Sequence, residues 1–217
     1  FTLETKIEAY RYWPRTEIAK LSQMRAVTAC TLSLDGELPD AVELALLPAA
    51  LAPNNCPLLR ELILRIRQHT VSEAQAAALH GLQALTQLSV LTLDLGSWAY
   101  QPQICVPASL ERLTATHHGE VASLEIMLCT QAIIARCPKL RHLSLTVAVV
   151  PTKAGAAREQ LEDVMRATAE AIRWSALHMC ELKCYALLLH KDAWQSELET
   201  VWRVLQQRAL PKKVLLD

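Results

Sequence analysis

Seven cysteines and seven histidines are the residues of this 217-residue chain best suited to chemistry. The densest group is His178, Cys180 and Cys184. Zinc takes such ligands, but a structural site needs a second pair at ligand spacing, and no further C-x-x-C or H-x-x-x-H follows. Two of the three flank Leu182 in a strand-like stretch, so they read as buried strand cysteines. His117-His118 comes next. It follows an expected strand where the chain turns into a loop, and solvent-exposed loop histidines without a metal or pH-sensing role account for it. A nucleophilic cysteine would need a histidine base and an electropositive pocket, and nothing in the chain places them. With five glycines there is no phosphate-cradling G-x-G-x-x-G or G-x-x-x-x-G-K-[ST] loop. The expectation is a protein that is not an enzyme, with no catalytic residue, metal, cofactor or small-molecule substrate.

The elements that would carry any surface are set by a repeat. Cys56-Pro57-Leu58-Leu59-Arg60-Glu61-Leu62-Ile63-Leu64 returns as Cys137-Pro138-Lys139-Leu140-Arg141-His142-Leu143-Ser144-Leu145. Both spell C-P-x-L-R-x-L-x-L, 81 residues apart, which fits three repeats of 27. The leucines would point inward from a short strand and the turn leading into it, the leucine-rich-repeat register with its period of roughly 20–29 residues. Sliding L-x-x-L-x-L along the chain predicts strands at 29–34, 59–64, 88–93, 110–115, 140–145 and 179–184, and a weaker one at 214–216.

Helical periods lie between them. They are Val42 to Leu51 (bent by Pro48), Ser72 to Leu82, Glu120 to Arg136 with Leu124, Leu128 and Ile133 inward, Ala156 to Trp174, and Asp192 to Arg208. In the fourth of these, Leu161, Val164, Met165 and Ile172 share a face with Thr168, whose hydroxyl is expected to bond back to the preceding turn. Asp94 to Pro107 reads as a loop. Residues 1–25, with a helix beginning near Thr16 and Leu21 inward, read as an N-terminal cap or the end of a preceding repeat. Residues 26–217 then form the irregular repeats. Strand and helix alternating at this spacing predict an α/β solenoid: a parallel sheet on the concave face of a horseshoe, helices on the convex face.

These residues resemble leucine-rich-repeat proteins of the ribonuclease-inhibitor-like superfamily. The C-P-x-L-R-x-L-x-L lead-in is similar to the cysteine-containing repeats of F-box proteins, and the resemblance spans about Ala26 to Cys184. It implies the recognition part of an F-box-type adaptor. The F-box itself, which would join the ubiquitin-ligase machinery, is not among these residues. The chain opens on Phe1 and stops in an apolar run, as a segment of a larger protein would.

In this register the positions between the inward leucines form columns. One is Thr31, Glu61, Val90, Arg112, His142 and Glu181. The next is Ser33, Ile63, Thr92, Thr114, Ser144 and Lys183, and the third is Asp35, Arg65, Asp94, Thr116, Thr146 and Tyr185. Such ladders present a preformed surface of mixed charge and small hydroxyls to a protein partner. Trp98, in the Asp94–Pro107 loop, is a further contact candidate. The alternative is a structural subunit buried in a large multi-protein assembly, using its edges and helices.

Twenty-two basic residues balance 22 acidic ones, so no net field draws in nucleic acid. No apolar run reaches the roughly 20 residues that span a bilayer, which predicts no membrane insertion. The odd number of cysteines, most in core register, predicts free thiols in a reducing intracellular compartment, the cytoplasm or nucleus.

Overall fold

In the computed structural model, residues 4–9, 19–23, 25–34, 41–66, 73–95, 106–150, 157–186 and 213–216 are described. The strands are β1 (Glu4–Ala9), β2 (Ala29–Leu34), β3 (Glu61–Ile66), β4 (Val90–Leu95), β5 (Arg112–Ala122), β6 (His142–Val150), β7 (Met179–Ala186) and β8 (Lys213–Leu216). They form one eight-stranded sheet in sequence order, and every neighbouring pair is parallel. The helices are α1 (Ala41–Ala50), α2 (Glu73–Leu79, continued by a 3-10 turn over His80–Ala84), α3 (Ser123–Arg136) and α4 (Ala157–Trp174). Parallel strands joined in order by crossovers of one hand place all their connections on one side of the sheet. In agreement, α1 packs on α2 and α3 on α4.

A single core lies between those helices and one face of the sheet. Leu62, Leu64 and Ile66 are buried in β3 while Glu61, Ile63 and Arg65 between them are half-exposed. This is the period of two that a strand with one covered face requires. The same alternation carries Leu91 and Leu93, Leu113 and Ala115, and Leu143, Leu145 and Val147 into the core, where Leu44, Leu47, Ile126, Ile133, Met165 and Ile172 of the helices meet them. Each such leucine, isoleucine, valine or methionine contributes about 1.5–3 kcal/mol by leaving water.

The leucines leading into the strands close turns and do not begin the ladder. Leu59, Leu88, Leu110 and Leu140 donate their N–H groups to the carbonyls of Cys56, Leu85, Pro107 and Cys137. The strands at 59–64, 88–93, 110–115 and 140–145 therefore start two residues later than expected. Between turn and strand, one carbonyl in each repeat accepts two N–H groups from the next. Thr28 receives Arg60 and Glu61, Arg60 receives Ser89 and Val90, Ser89 receives Glu111 and Arg112, Glu111 receives Arg141 and His142, and Arg141 receives His178 and Met179.

Three other expectations change. β1 pairs along its whole length with β2, from Glu4 beside Ala29 to Ala9 beside Leu34, a strand not foreseen within residues 1–25. β5 runs on to Ala122 because β6 is also long: Glu120, Val121 and Ala122 pair with Ala148, Val149 and Val150 beyond an irregularity after His117. The helix that follows thus starts at Ser123, not Glu120. Within it Leu128 is 46% exposed, and the buried side is Ile126, Cys129, Thr130 and Ile133. Leu128 is two residues from Ile126, about 200° around the helix. Thr130 occupies the core side because its Oγ1 donates to the Ile126 carbonyl at 2.8 Å.

Elsewhere the helices follow the pattern. Pro48 falls in the last turn of α1 and is buried. Gly81 meets it so closely that a Cβ there would lie 2.8 Å from the Pro48 ring. Met165 and Ile172 are buried in α4, with Val164 packed at the margin. Thr168 Oγ1 donates to the Val164 carbonyl at 2.7 Å, as its place on an apolar face demands. Leu21 is buried. The helix at 192–208 and the loop bearing Trp98 lie outside the described residues. No helix among the described residues is long and apolar enough to cross a membrane.

Candidate functional site: the open face of the sheet

The outward positions of β2 to β7 form three rows. The first is Ala29, Glu61, Val90, Arg112, His142 and Met179; the second is Thr31, Ile63, Thr92, Thr114, Ser144 and Glu181; the third is Ser33, Arg65, Asp94, Thr116, Thr146 and Lys183. Over β3 to β6 these are the expected columns. At both flanks they are displaced by two residues, so Thr31 and Ser33 move over by one row, as do Glu181 and Lys183. Tyr185 sits one position further, beside Ala148.

The displacement has a chemical origin. Val27 and Leu177 hold the place of the turn leucine, and Cys30 and Cys180 the place of the next leucine, all buried. At β2 a frame that counts only leucines slides past Val27 and Cys30; before β7 the turn place is kept by a leucine, and Cys180 alone breaks the pattern. Because strand period is two, a shift of two keeps every residue on its face and changes only its neighbours.

Among the named candidates, Glu61, Ile63, Arg65, Thr92, Asp94, Thr114, His142 and Ser144 are half-exposed and Arg112 is exposed. Ser33 differs, being 6% exposed. Displacing Glu181 into the second row brings it to Ser144, whose Oγ donates to Glu181 Oε2 at 2.7 Å. This contact was hidden by the misread frame.

The residues with chemical potential are placed elsewhere. His117 is 3% exposed at an inward position of β5, between Leu95 and Val147 in register. It is therefore not an exposed loop histidine; the lengthened β5–β6 pairing carries it into the core. His178 is exposed in the turn before β7, whereas Cys180, two residues on, is buried. Among the described residues no group of three or more His, Cys, Asp and Glu could hold a metal ion.

Cys30, Cys56, Cys129, Cys137 and Cys180 are buried. Burial pushes the thiols of Cys30 and Cys180 up to about 12, with the neighbouring Cys56 adding to the first. Burial also raises Cys137 to about 11, against a smaller opposing pull from Arg136, and raises Cys56. A protonated thiol is a poor nucleophile but a usable donor. Cys137 Sγ lies 3.3 Å from the Pro107 carbonyl and Cys56 Sγ lies 3.3 Å from that of Leu21, each reaching a carbonyl of the preceding turn region. The Cys56 and Cys137 thiols thus each tie a turn to an earlier one.

No protein family, curated protein or solved structure matches the chain.

Proposed function

We propose that this chain is a non-catalytic interaction module that binds a protein partner through the open face of its sheet. One observation carries the reading: the sheet's two faces have opposite chemistry. The inward face is mostly aliphatic and covered, with Cys30, Cys180 and His117 buried among the leucines. The outward face sets Glu61, Arg65, Asp94 and Arg112 among Thr92, Thr114, Ser144 and Ile63, with neighbours a strand spacing apart. Side chains held on a sheet lose little freedom on association, so less of the binding energy is consumed in ordering them. Mixed charges and hydroxyls give such a surface specificity.

In this reading the fold is a leucine-rich-repeat horseshoe. Two features support it: the recurring turns at Leu59, Leu88, Leu110 and Leu140, and the mismatch between helices about 10 Å wide and strands about 4.8 Å apart, which makes the helical side fan outward. A role as the recognition part of an F-box-type adaptor accords with the C-P-x-L-R turns.

A photo-crosslinking residue at Thr92 or Thr114, against a control at Arg166 on α4, tests the docking face. The expected result is a cross-link to one identifiable protein from the two sheet positions. It should be lost in Arg65→Glu with Arg112→Glu while the thermal transition stays put. Cross-links from the control position alone would refute the reading.

A second reading, a subunit packed inside an assembly, is favoured by α1. Val42 is 67% and Leu46 41% exposed, and Ala45 and Ala49 continue their stripe. Val42→Asp with Leu46→Asp should then abolish assembly, with the sheet-face variants silent.

A further inference from the structure

Basic and acidic residues are equal in number along the whole chain, but they are separated along the leading edge of the sheet. In register the first row begins with Glu4 on β1 and Glu61 on β3 and finishes with Arg112 on β5, His142 on β6 and Lys213 on β8. The turns that feed this end of the row add Lys139, Arg141 and His178, all exposed. Glu111 is the single acid among the described residues of that stretch.

Four of these side chains have no internal task. Arg60, at the position in its motif that Arg141 holds in the second copy, gives Nη1 to the Gln87 carbonyl at 3.0 Å. Arg136 donates to the Val106 carbonyl at 2.8 Å and also to Gln83. No side-chain hydrogen bond or ion pair to a described residue engages Arg112, Lys139, Arg141 or His178. The same motif arginine is structural in one repeat and unoccupied in the other.

We infer that the leading edge of β5 to β8, built on Arg112, Lys139 and Arg141, docks an acidic peptide segment of the partner. This rests on the proposal that the chain binds a protein and adds the chemistry of what it binds. The edge spans three strand spacings, about 14 Å, which an extended run of roughly four residues covers. Carboxylates suit guanidinium groups left with free N–H donors, which bind them in bidentate pairs. A nucleic-acid strand suits the edge less. The basic stretch is short, and no Trp, Tyr or Phe lies in this row or its feeding turns among the described residues.

Fluorescence anisotropy of the full chain with a labelled peptide carrying about six consecutive glutamates tests the inference. The expected result is saturable binding that weakens as salt rises past about 0.1 M. Arg112→Glu with Arg141→Glu should weaken it about tenfold or more, and the gentler Arg112→Gln with Arg141→Gln by less. Arg166→Glu on α4 should leave it unchanged. Absence of saturable binding, indifference to the edge variants in folded protein, or tighter binding of a single-stranded oligonucleotide would each overturn it. Ile63→Arg keeps the two proposals distinct. If peptide binding fails while the cross-link from Thr92 persists, the docking face stands and the acidic-segment inference falls. If the peptide binds the unaltered chain but Thr92 gives no cross-link there, the docking face falls and the edge remains a peptide site; loss of the cross-link only in Ile63→Arg supports the docking face.

Discussion

Two copies of one motif, Cys56–Leu64 and Cys137–Leu145, differ less in their own residues than in what they meet. In both, the cysteine thiol reaches a carbonyl of an earlier turn, the first leucine closes a turn, and the next two enter the core. The fifth residue, arginine in each, then diverges. Arg60 finds the Gln87 carbonyl in the turn that follows it. Arg141 faces a different turn, in which Leu177 N–H donates to Ser175 Oγ at 3.2 Å and no carbonyl takes up the guanidinium. A motif thus governs its own packing, while the next repeat along decides which of its polar groups remain available to a partner.

The comparison is broken most severely at the shared leucines. Leu62→Ala and Leu143→Ala should each cost about 3 kcal/mol in denaturant unfolding, by lost burial and the cavity left behind. A marked inequality between them would mean that the two repeats are not packed alike.

The thiols sharpen the likeness at smaller amplitude. Cys56→Ala and Cys137→Ala should each cost about 1 kcal/mol for a lost donor and some packing. A neutral thiol reagent should label neither residue in the native chain at pH 8 and both after unfolding. Their pH dependence has a definite sign. The folded thiols hold their protons above the ordinary value of 9.0, Cys137 to about 11 and Cys30 to about 12. The unfolded chain therefore loses protons first, and stability that is complete below pH 9 should decline as pH rises toward those values. Thermal melts at pH 8 and pH 10 check this; an equal or higher transition at pH 10 would contradict it.

The smallest effect carries the contrast itself. Arg60→Ala should destabilise by about 0.5–1 kcal/mol, the worth of an exposed hydrogen bond from a charged donor. Arg141→Ala should fall within about 0.5 kcal/mol of no change, as surface substitutions do. Equal losses at the two would show that Arg141 has a structural role after all.

Much of this was legible from residues alone. The two extended motifs, the alternation of Leu62 and Leu64, and the apolar side of Ala156 to Trp174 specify parallel strands alternating with helices. That follows because burial of aliphatic side chains dominates local choice. Thr168 was readable for the same reason: a hydroxyl on an apolar face must bond to its own helix. The sequence frame failed where the core used something other than leucine. Cys30 and Cys180 concealed the register of β2 and β7, and with it the contact of Ser144 and Glu181. Thr130 and Cys129 disguised the buried side of α3, and His117 passed for a loop residue. Register and partner choice were decided only in three dimensions, since they depend on which backbone or side chain lies a strand spacing away, some thirty residues distant along the chain.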